Sequence, residues 1–531
     1  MLPSLEDGQI AHYDVYVPVH DLGVDPPRLK YCKSWSTQLF GATIFSECIN
    51  LSLKLEGAKD NLLSSTSPAE TMSYHWRVQQ FWKKIGRLPS DKNLDLNNCT
   101  LNAVDIMELT TVIPLLPDLE EIDLSWNDFI GGALEPLALQ FKHLQELKVL
   151  QLNSCRLTTK DVACLGEALD GIPHLEILDL SWNCGIGGSL SLLTSKILKG
   201  SKLKTLKVTD CCLTQEDGKS LAELLSRIPS LKILDLSINV KLGCSLKNIA
   251  QELRFVSSLQ ILNLNTCGLE QDGFHSLDAA FQYLSELRIL DLSCNKLIGG
   301  VFQSLAGHLA SLSNLEILNL HQCCITEEDM LIIPLLTNLR ELNLSSNTNV
   351  GLSTYHLLSR LRFLPKLTSV LLSNCALQHD SFLSLADTVS HLPELKLLDL
   401  SWNKCVGGNL KLILKALNPD SKIQILRVSS CSLVDEDMID LGWETFCVSL
   451  SALGQLSELD ISCRPSSQCG CGEWLGKLLN ALSQILPFTD LELNGWLLSA
   501  AQQKLLEDFR HTPQNISVVF NDINLVTIYK H

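Results

Sequence analysis

Apolar residues recur along most of this chain in one spaced pattern, L-x-x-L-x-L-x-x-[N/C]-x-L, and the pattern returns with a nearly fixed period. Its Asn or Cys position falls at Cys99, Asn127, Cys155, Asn183, Cys211, Asn239, Cys267, Asn295, Cys323, Asn347, Cys375, Asn403 and Cys431. Consecutive members stand 28 residues apart, except Cys323 and Asn347, which stand 24 apart. Self-similarity at such a period marks a stack of small units, each burying its apolar face against its neighbours. Thirteen units in strict Cys/Asn alternation lie beyond chance.

Each unit predicts a strand followed by a return segment. Leu175, Leu178 and Leu180 point into a shared core, and the short L-x-L run forms a parallel strand. Asn183 closes that strand, with its amide placed to bond backbone groups of the turn, so stacking builds a ladder. Cysteine at the same point is small and readily buried, which gives seven of the 20 cysteines a structural role. In the return segment Thr158, Thr214 and Thr326 each precede Asp161, Asp217 and Asp329 by three residues, close to a capping box. Val162, Leu165, Leu169 and Ile172 then keep helical spacing until Pro173. The pairs Gly131-Gly132, Gly187-Gly188, Gly299-Gly300 and Gly407-Gly408 predict tight turns. Helices of about ten residues are wider than strands, so the stack is expected to bend with its sheet inside.

A strand–helix unit of this length with alternating Asn and Cys forms resembles the leucine-rich repeats of the ribonuclease-inhibitor type. Three stretches, 401–410 (SWNKCVGGNL), 277–287 (LDAAFQYLSEL) and 357–365 (LLSRLRFLP), are similar to one branch of that family, and the similarity covers roughly residues 70 to 490. It implies an α/β leucine-rich-repeat solenoid, or horseshoe, with a parallel inner sheet and outer helices. It implies no established biochemical activity.

Four segments follow: a poorly ordered N-terminal arm over 1–69, a helical cap over 70–90, the solenoid over 91–480, and a degenerate repeat with C-terminal cap over 481–531. His75, Trp76, Phe81 and Trp82 give the first cap its helical spacing. Leu491, Leu493 and the run 516–520 predict strands in the second, where an atypical unit blunts the end of the stack. The period fails once inside the solenoid. Leu456, Leu459 and Ile461 place Arg464 at the ladder position, 33 residues after Cys431. The resemblance implies a further Asn-type unit here, so one unit is expected to be missing. Residues 434–440 would then run straight into a helix near Gly442-Trp443, with irregular packing.

Composition agrees with many small packing layers, since 46% of residues are hydrophobic and only 6% aromatic. The net charge of −17 argues against nucleic acid, whose phosphates need clustered Lys and Arg. The start lacks a basic stretch followed by an apolar one, and no apolar run approaches the roughly 20 residues that span a bilayer. The sequons at Asn98 and Asn343 fall within the repeat, where a glycan is not expected to fit. Reduced thiols in the cytoplasm, with the nucleus as the alternative, are therefore expected, and secretion is not. The signature motifs of nucleotide-binding and hydrolytic enzymes are missing, so no enzyme, cofactor or metal is expected. Cys463, Cys469 and Cys471 lack a fourth ligand at zinc spacing, and His321 reads as a surface residue without a nearby acid in register.

The inner sheet face is the expected binding surface for a protein of unknown identity, by a chain that is itself monomeric. Its outward positions include Asp123, Asp179, Asp235, Asp291 and Asp399, interleaved with Gln151, Lys207, Asn263, Asn319 and Arg427. Asp179–Lys207–Asp235 and Asp399–Arg427 are candidate cross-strand pairs. Trp126, Trp182 and Trp402 each precede a ladder Asn, where a rigid amphipathic ring suits a partner contact or packs on the glycine turn behind it. The alternatives are the substrate receptor of a ubiquitin ligase, which needs a recruiting segment, and an innate-immune ligand sensor, which usually carries a nucleotide-binding domain. The first 70 residues hold no three-helix pattern of the first kind, and no nucleotide-binding motif of the second is found.

Overall fold

A computed structural model describes residues 80–86, 92–301, 306–352, 358–417, 421–434, 436–441, 453–464, 470–511 and 516–520. The arm expected over 1–69 lies outside them. Among the described residues sixteen three-residue strands form one parallel sheet, each paired with its neighbours in sequence. They are β1 (Asn93–Asp95), β2 (Glu121–Asp123), β3 (Val149–Gln151), β4 (Ile177–Asp179), β5 (Thr205–Lys207), β6 (Ile233–Asp235), β7 (Ile261–Asn263), β8 (Ile289–Asp291), β9 (Ile317–Asn319), β10 (Glu341–Asn343), β11 (Ser369–Leu371), β12 (Leu397–Asp399), β13 (Ile425–Arg427), β14 (Glu458–Asp460), β15 (Asp490–Glu492) and β16 (Ser517–Val519). This is an α/β leucine-rich-repeat solenoid.

The central residue of each strand points inward and meets its counterpart, as Leu150, Leu178 and Leu206 do across β3, β4 and β5. Behind them, Val162, Leu165, Leu221 and Leu225 close the core from the helices Thr159–Ala168 and Gln215–Leu225. One apolar core runs from Phe81 to Val518. Each fully buried leucine contributes about 1.5–3 kcal/mol, so the stack stands on many similar increments.

Helices of Cys-type units, such as Thr159–Ala168 and Gln271–Phe281, have the expected length. Those of Asn-type units are shorter, as in Glu135–Ala138 and Ser191–Thr194, because the glycine turn and a 3-10 turn take up part of the return. The 24-residue step is absorbed in the same way, by a helix reduced to Glu327–Met330. Across the 33-residue step β13 pairs directly with β14, Ile425 opposite Glu458 and Leu426 opposite Leu459. The segment around Gly442-Trp443 lies outside the described residues.

The capping aspartates do more than end a helix. Asp217, buried, accepts from the Thr214 N–H (2.8 Å) and hydroxyl (2.8 Å) in its own coil, and from Gly188 N–H (2.6 Å) and Leu190 N–H (3.0 Å) in the coil before. Asp161 holds Gly132 and Leu134 likewise. Asp217→Ala strands those donors in the interior and is expected to cost about 3 kcal/mol; a urea midpoint equal to wild type would contradict it.

At the N-terminal end Phe81 and Trp82 are buried edge to face, 4.9 Å between centroids. At the other end Trp474 and Trp496 repeat the arrangement at 5.0 Å, and Trp496 Nε1 donates to the Ile461 carbonyl (2.8 Å).

Candidate protein-binding surface

The ladder frames this surface. The Asn239 Oδ1 accepts from Cys211 N–H (3.1 Å) and Leu213 N–H (3.0 Å), while Nδ2 donates to the carbonyls of Val208 (2.8 Å), Leu236 (2.8 Å) and Ser237 (3.1 Å). Asn127, Asn183, Asn295, Asn347 and Asn403 repeat this, bridging two coils each. Between them Cys155, Cys211, Cys267, Cys323, Cys375 and Cys431 donate Sγ–H to a leucine carbonyl of the preceding coil, each at 3.2 Å. Cys99, in the first coil, is half-buried and bonds the Asn97 carbonyl (3.6 Å). Burial pushes the thiols of Cys155, Cys211, Cys267, Cys375 and Cys431 up to about 12, so they stay protonated. The regular ladder ends at Cys431, since Arg464 stands where an Asn would follow; its guanidinium lies over the Trp402 ring, 4.9 Å from the centroid.

Outside the core-facing residue, the first and third residues of each strand face the open side of the sheet. In the third row Asp123, Asp179, Asp235, Asp291 and Asp399 stand in the expected register with Gln151, Lys207, Asn263, Asn319 and Arg427. Each aspartate Oδ1 accepts from the N–H of the serine two residues on, as from Ser125 (2.8 Å) and Ser181 (3.0 Å), so one oxygen closes the strand, while Oδ2 of Asp235 accepts from Asn263 (3.3 Å) and Oδ2 of Asp291 from Asn319 (3.0 Å). Lys207 lies 3.8 Å from Asp179. The expected Asp399–Arg427 pair is replaced: Arg427 donates to Glu458 through Nε (2.9 Å) and Nη2 (2.8 Å), because Glu458 opens the next strand within reach of both nitrogens.

Burial raises the carboxyls of Asp123, Asp291 and Asp399, against the bonds from their serines, and neighbouring aspartates raise them further. A carboxyl raised on folding favours the folded chain at acid pH and gives that up as pH climbs through its folded value. At neutral pH these charges are held in poorly solvated places, a state that a cationic group relieves.

Trp126, Trp182 and Trp402 are 55%, 44% and 47% exposed, at φ of 61°, 61° and 62°. The left-handed conformation belongs to the turn, since Ile238, Cys294 and Ser346 share it in other units. A bulky side chain there costs about 1–2 kcal/mol, and these rings are not buried in return.

Two features of the face escaped the sequence reading. The first strand position carries Ile177, Ile233, Ile261, Ile289 and Ile317, all half-buried, interrupted only by Thr205. One residue earlier, an ion-pair ladder lines the sheet edge: Lys92–Glu120, Lys148–Glu120 (2.6 Å), Lys204–Glu176 (2.7 Å) and Arg288–Glu316 (3.7 Å). Aligning the units on their 28-residue period displays both columns; attention to the aspartate column alone passes over them.

Two minor expectations change. Asn98 is exposed at the rim, so sterics do not exclude a group there. His321 is half-buried and held below its usual value by burial, with the Asp291 charge opposing that shift. Cys469 lies outside the described residues. Among those residues the cysteines are free thiols, and no helix is long and apolar enough to cross a membrane.

Comparison with known proteins agrees with the fold. The leucine-rich-repeat family pattern matches residues 171–189. The ribonuclease inhibitor of Mus musculus is 31% identical over 150 residues, covering 28% of this chain and 33% of that protein. NLR family CARD domain-containing protein 4 of Xenopus tropicalis is 28% identical over 158 residues, 29% of this chain and 15% of that protein. The chain thus spans a third or less of the length of these relatives. Among solved structures, the complex of Rad7 and Elc1 in yeast aligns with TM-score 0.45 at 19% identity, over 76% of this chain and 96% of that one. The sequence likenesses are thus to leucine-rich-repeat proteins, ribonuclease inhibitors among them.

Proposed function

We propose that this leucine-rich-repeat solenoid is a non-enzymatic scaffold or inhibitor-like module that holds a protein partner on its open sheet face. The observation that carries the reading is the pairing of the stripe Ile177–Ile317 with the aspartates Asp179, Asp235 and Asp291 two residues on along the same strands. An apolar centre with charged margins is how protein interfaces are built, and the sign of the margin selects a basic partner surface. Trp126, Trp182 and Trp402 at the rim are proposed contacts, with Asp123, Asp179, Asp235, Asp291 and Asp399 along the row. Sixteen strands at about 4.8 Å give the face an arc of roughly 70 Å, enough for a domain of about 100 residues. A relative that bears the name ribonuclease inhibitor fits a protein ligand. The stretches 401–410, 277–287 and 357–365 resemble leucine-rich-repeat-containing protein 31, and that resemblance carries no activity with it. We place the protein in a reducing compartment, the cytoplasm or the nucleus, as a monomer that binds neither nucleic acid nor membrane.

The test is proximity labelling in cells with the full chain, followed by pull-down of each labelled protein with wild type and with Trp126→Ala/Trp182→Ala/Asp179→Asn. A true partner is expected to lose at least about tenfold in affinity, or 1.4 kcal/mol, and to bind more weakly as salt rises. Undiminished binding of every partner by the triple variant would move the site off this rim.

A further inference from the structure

One rung of the rim differs from the rest in its chemistry. The residue after each ladder Asn faces the residue after the ladder Cys of the next coil. At the first such rung Asp128 and Arg156 meet as an ion pair at 3.3 Å; later rungs set Val240 against Gly268 or Lys296 against Cys324. In the coils of β4 and β5 the two places hold Cys184 and Cys212, both exposed, with Asp210 half-buried beside them. Asp210 and Cys212 are both left-handed, at φ of 48° and 53°, which turns their side chains out on either side of Cys211. The sulfurs and a carboxylate oxygen all lie within 4.8 Å of one another, and Cys184 Sγ stands 3.8 Å from the Asp210 carbonyl.

We propose that Cys184, Asp210 and Cys212 form a binding site for a soft divalent cation of the zinc class, with three protein ligands and the fourth position open to solvent. Two thiolates and a carboxylate are borderline-soft donors that suit zinc over calcium or magnesium. Around a tetrahedral zinc two sulfurs stand about 3.8 Å apart, so exposed side chains already this close reach that spacing by rotation. On binding, both thiols release their protons to solvent and three ligand charges face the two of the metal. The crowding of the two thiols, led by the Cys212 contact, lifts Cys184 to about 11, and burial lifts Asp210; a cation relieves both. The ligands come from adjacent coils, so the metal ties the unit of Trp182 to the next. Sequence spacing hides the set, since Cys184 stands 26 and 28 residues before Asp210 and Cys212 and meets them only through stacking.

The experiment is a zinc titration of the reduced full chain against a chromophoric chelator, with reductant present throughout and cobalt as a second probe. One tight equivalent is expected, together with a thiolate-to-cobalt charge-transfer band. Cys184→Ser and Cys212→Ser are each expected to weaken binding by about 100-fold or more and to remove the band, and Asp210→Asn to weaken it by roughly tenfold. Cys244→Ser and Cys324→Ser, also exposed thiols, should change neither. Affinity should fall as pH is lowered, because protons compete for the sulfurs. Equal zinc affinity in wild type and the Cys184→Ser/Cys212→Ser double variant would overturn the proposal. So would a chain that takes up no zinc under reductant and forms only a Cys184–Cys212 disulfide in air.

Discussion

Replacing Asn239 with alanine is expected to destabilise the solenoid by about 4–5 kcal/mol, from the loss of a side chain that satisfies several buried backbone groups. The Asn239 amide answers two N–H groups of the coil before it and three carbonyls, and the residue is 1% exposed. Alanine reaches none of them, and the turn is sealed from water. The damage should be local in origin, because each coil of a solenoid touches only its neighbours. Urea unfolding followed by far-UV circular dichroism is therefore expected to show an early transition, with the coils of β5 and β6 separating first, rather than a uniform shift. A single transition at the wild-type midpoint would mean that the ladder does not hold these coils.

Gly187→Ala is expected to cost still more, about 5 kcal/mol or above, among the largest effects a single substitution has. A Cβ on Gly187 would overlap the backbone carbonyls of Cys212 and Cys211 in the next coil. That backbone cannot retreat, because the Asn239 amide fixes Cys211 from the other side. Gly188, at φ of 80°, has open space where its Cβ would go, so Gly188→Ala should cost only the left-handed strain, about 1–2 kcal/mol. The order of the two midpoints checks the account, and a larger loss at Gly188 than at Gly187 would contradict it. The units with Gly243-Cys244 and Gly351-Leu352 agree: they keep the first glycine, whose Cβ would overlap the next coil, and dispense with the second.

The ladder was legible in the sequence because each of its members performs one task at a fixed place. A buried side chain between stacked turns has few alternatives, and the 28-residue register carries Asn or Cys through thirteen units. The capping boxes were legible for the same reason, but the second grip of Asp217 on Gly188 and Leu190 was not, since it crosses coils. Pairing among exposed side chains was least legible. Arg427 has acids within reach on both sides, and its choice of Glu458 over Asp399 depends on geometry that register alone does not specify. The helix lengths in Asn-type units were misjudged because the glycine turn and helix compete for the same residues.

The proposed docking role stands on the isoleucine stripe, whose half-exposed side chains the fold itself does not need on the open side. The direct measurement is the dissociation constant of a partner identified in cells, determined by titration calorimetry with three purified chains. These are wild type, Ile261→Asp/Ile289→Asp on the open face, and Leu383→Asp on the exposed side of the helix His379–Val389. With all three equally folded by circular dichroism, the face variant is expected to bind at least about 100-fold more weakly, near 2.7 kcal/mol, and the helix variant to match wild type. Full affinity in the face variant, or its loss in the helix variant alone, would contradict a partner seated on the sheet.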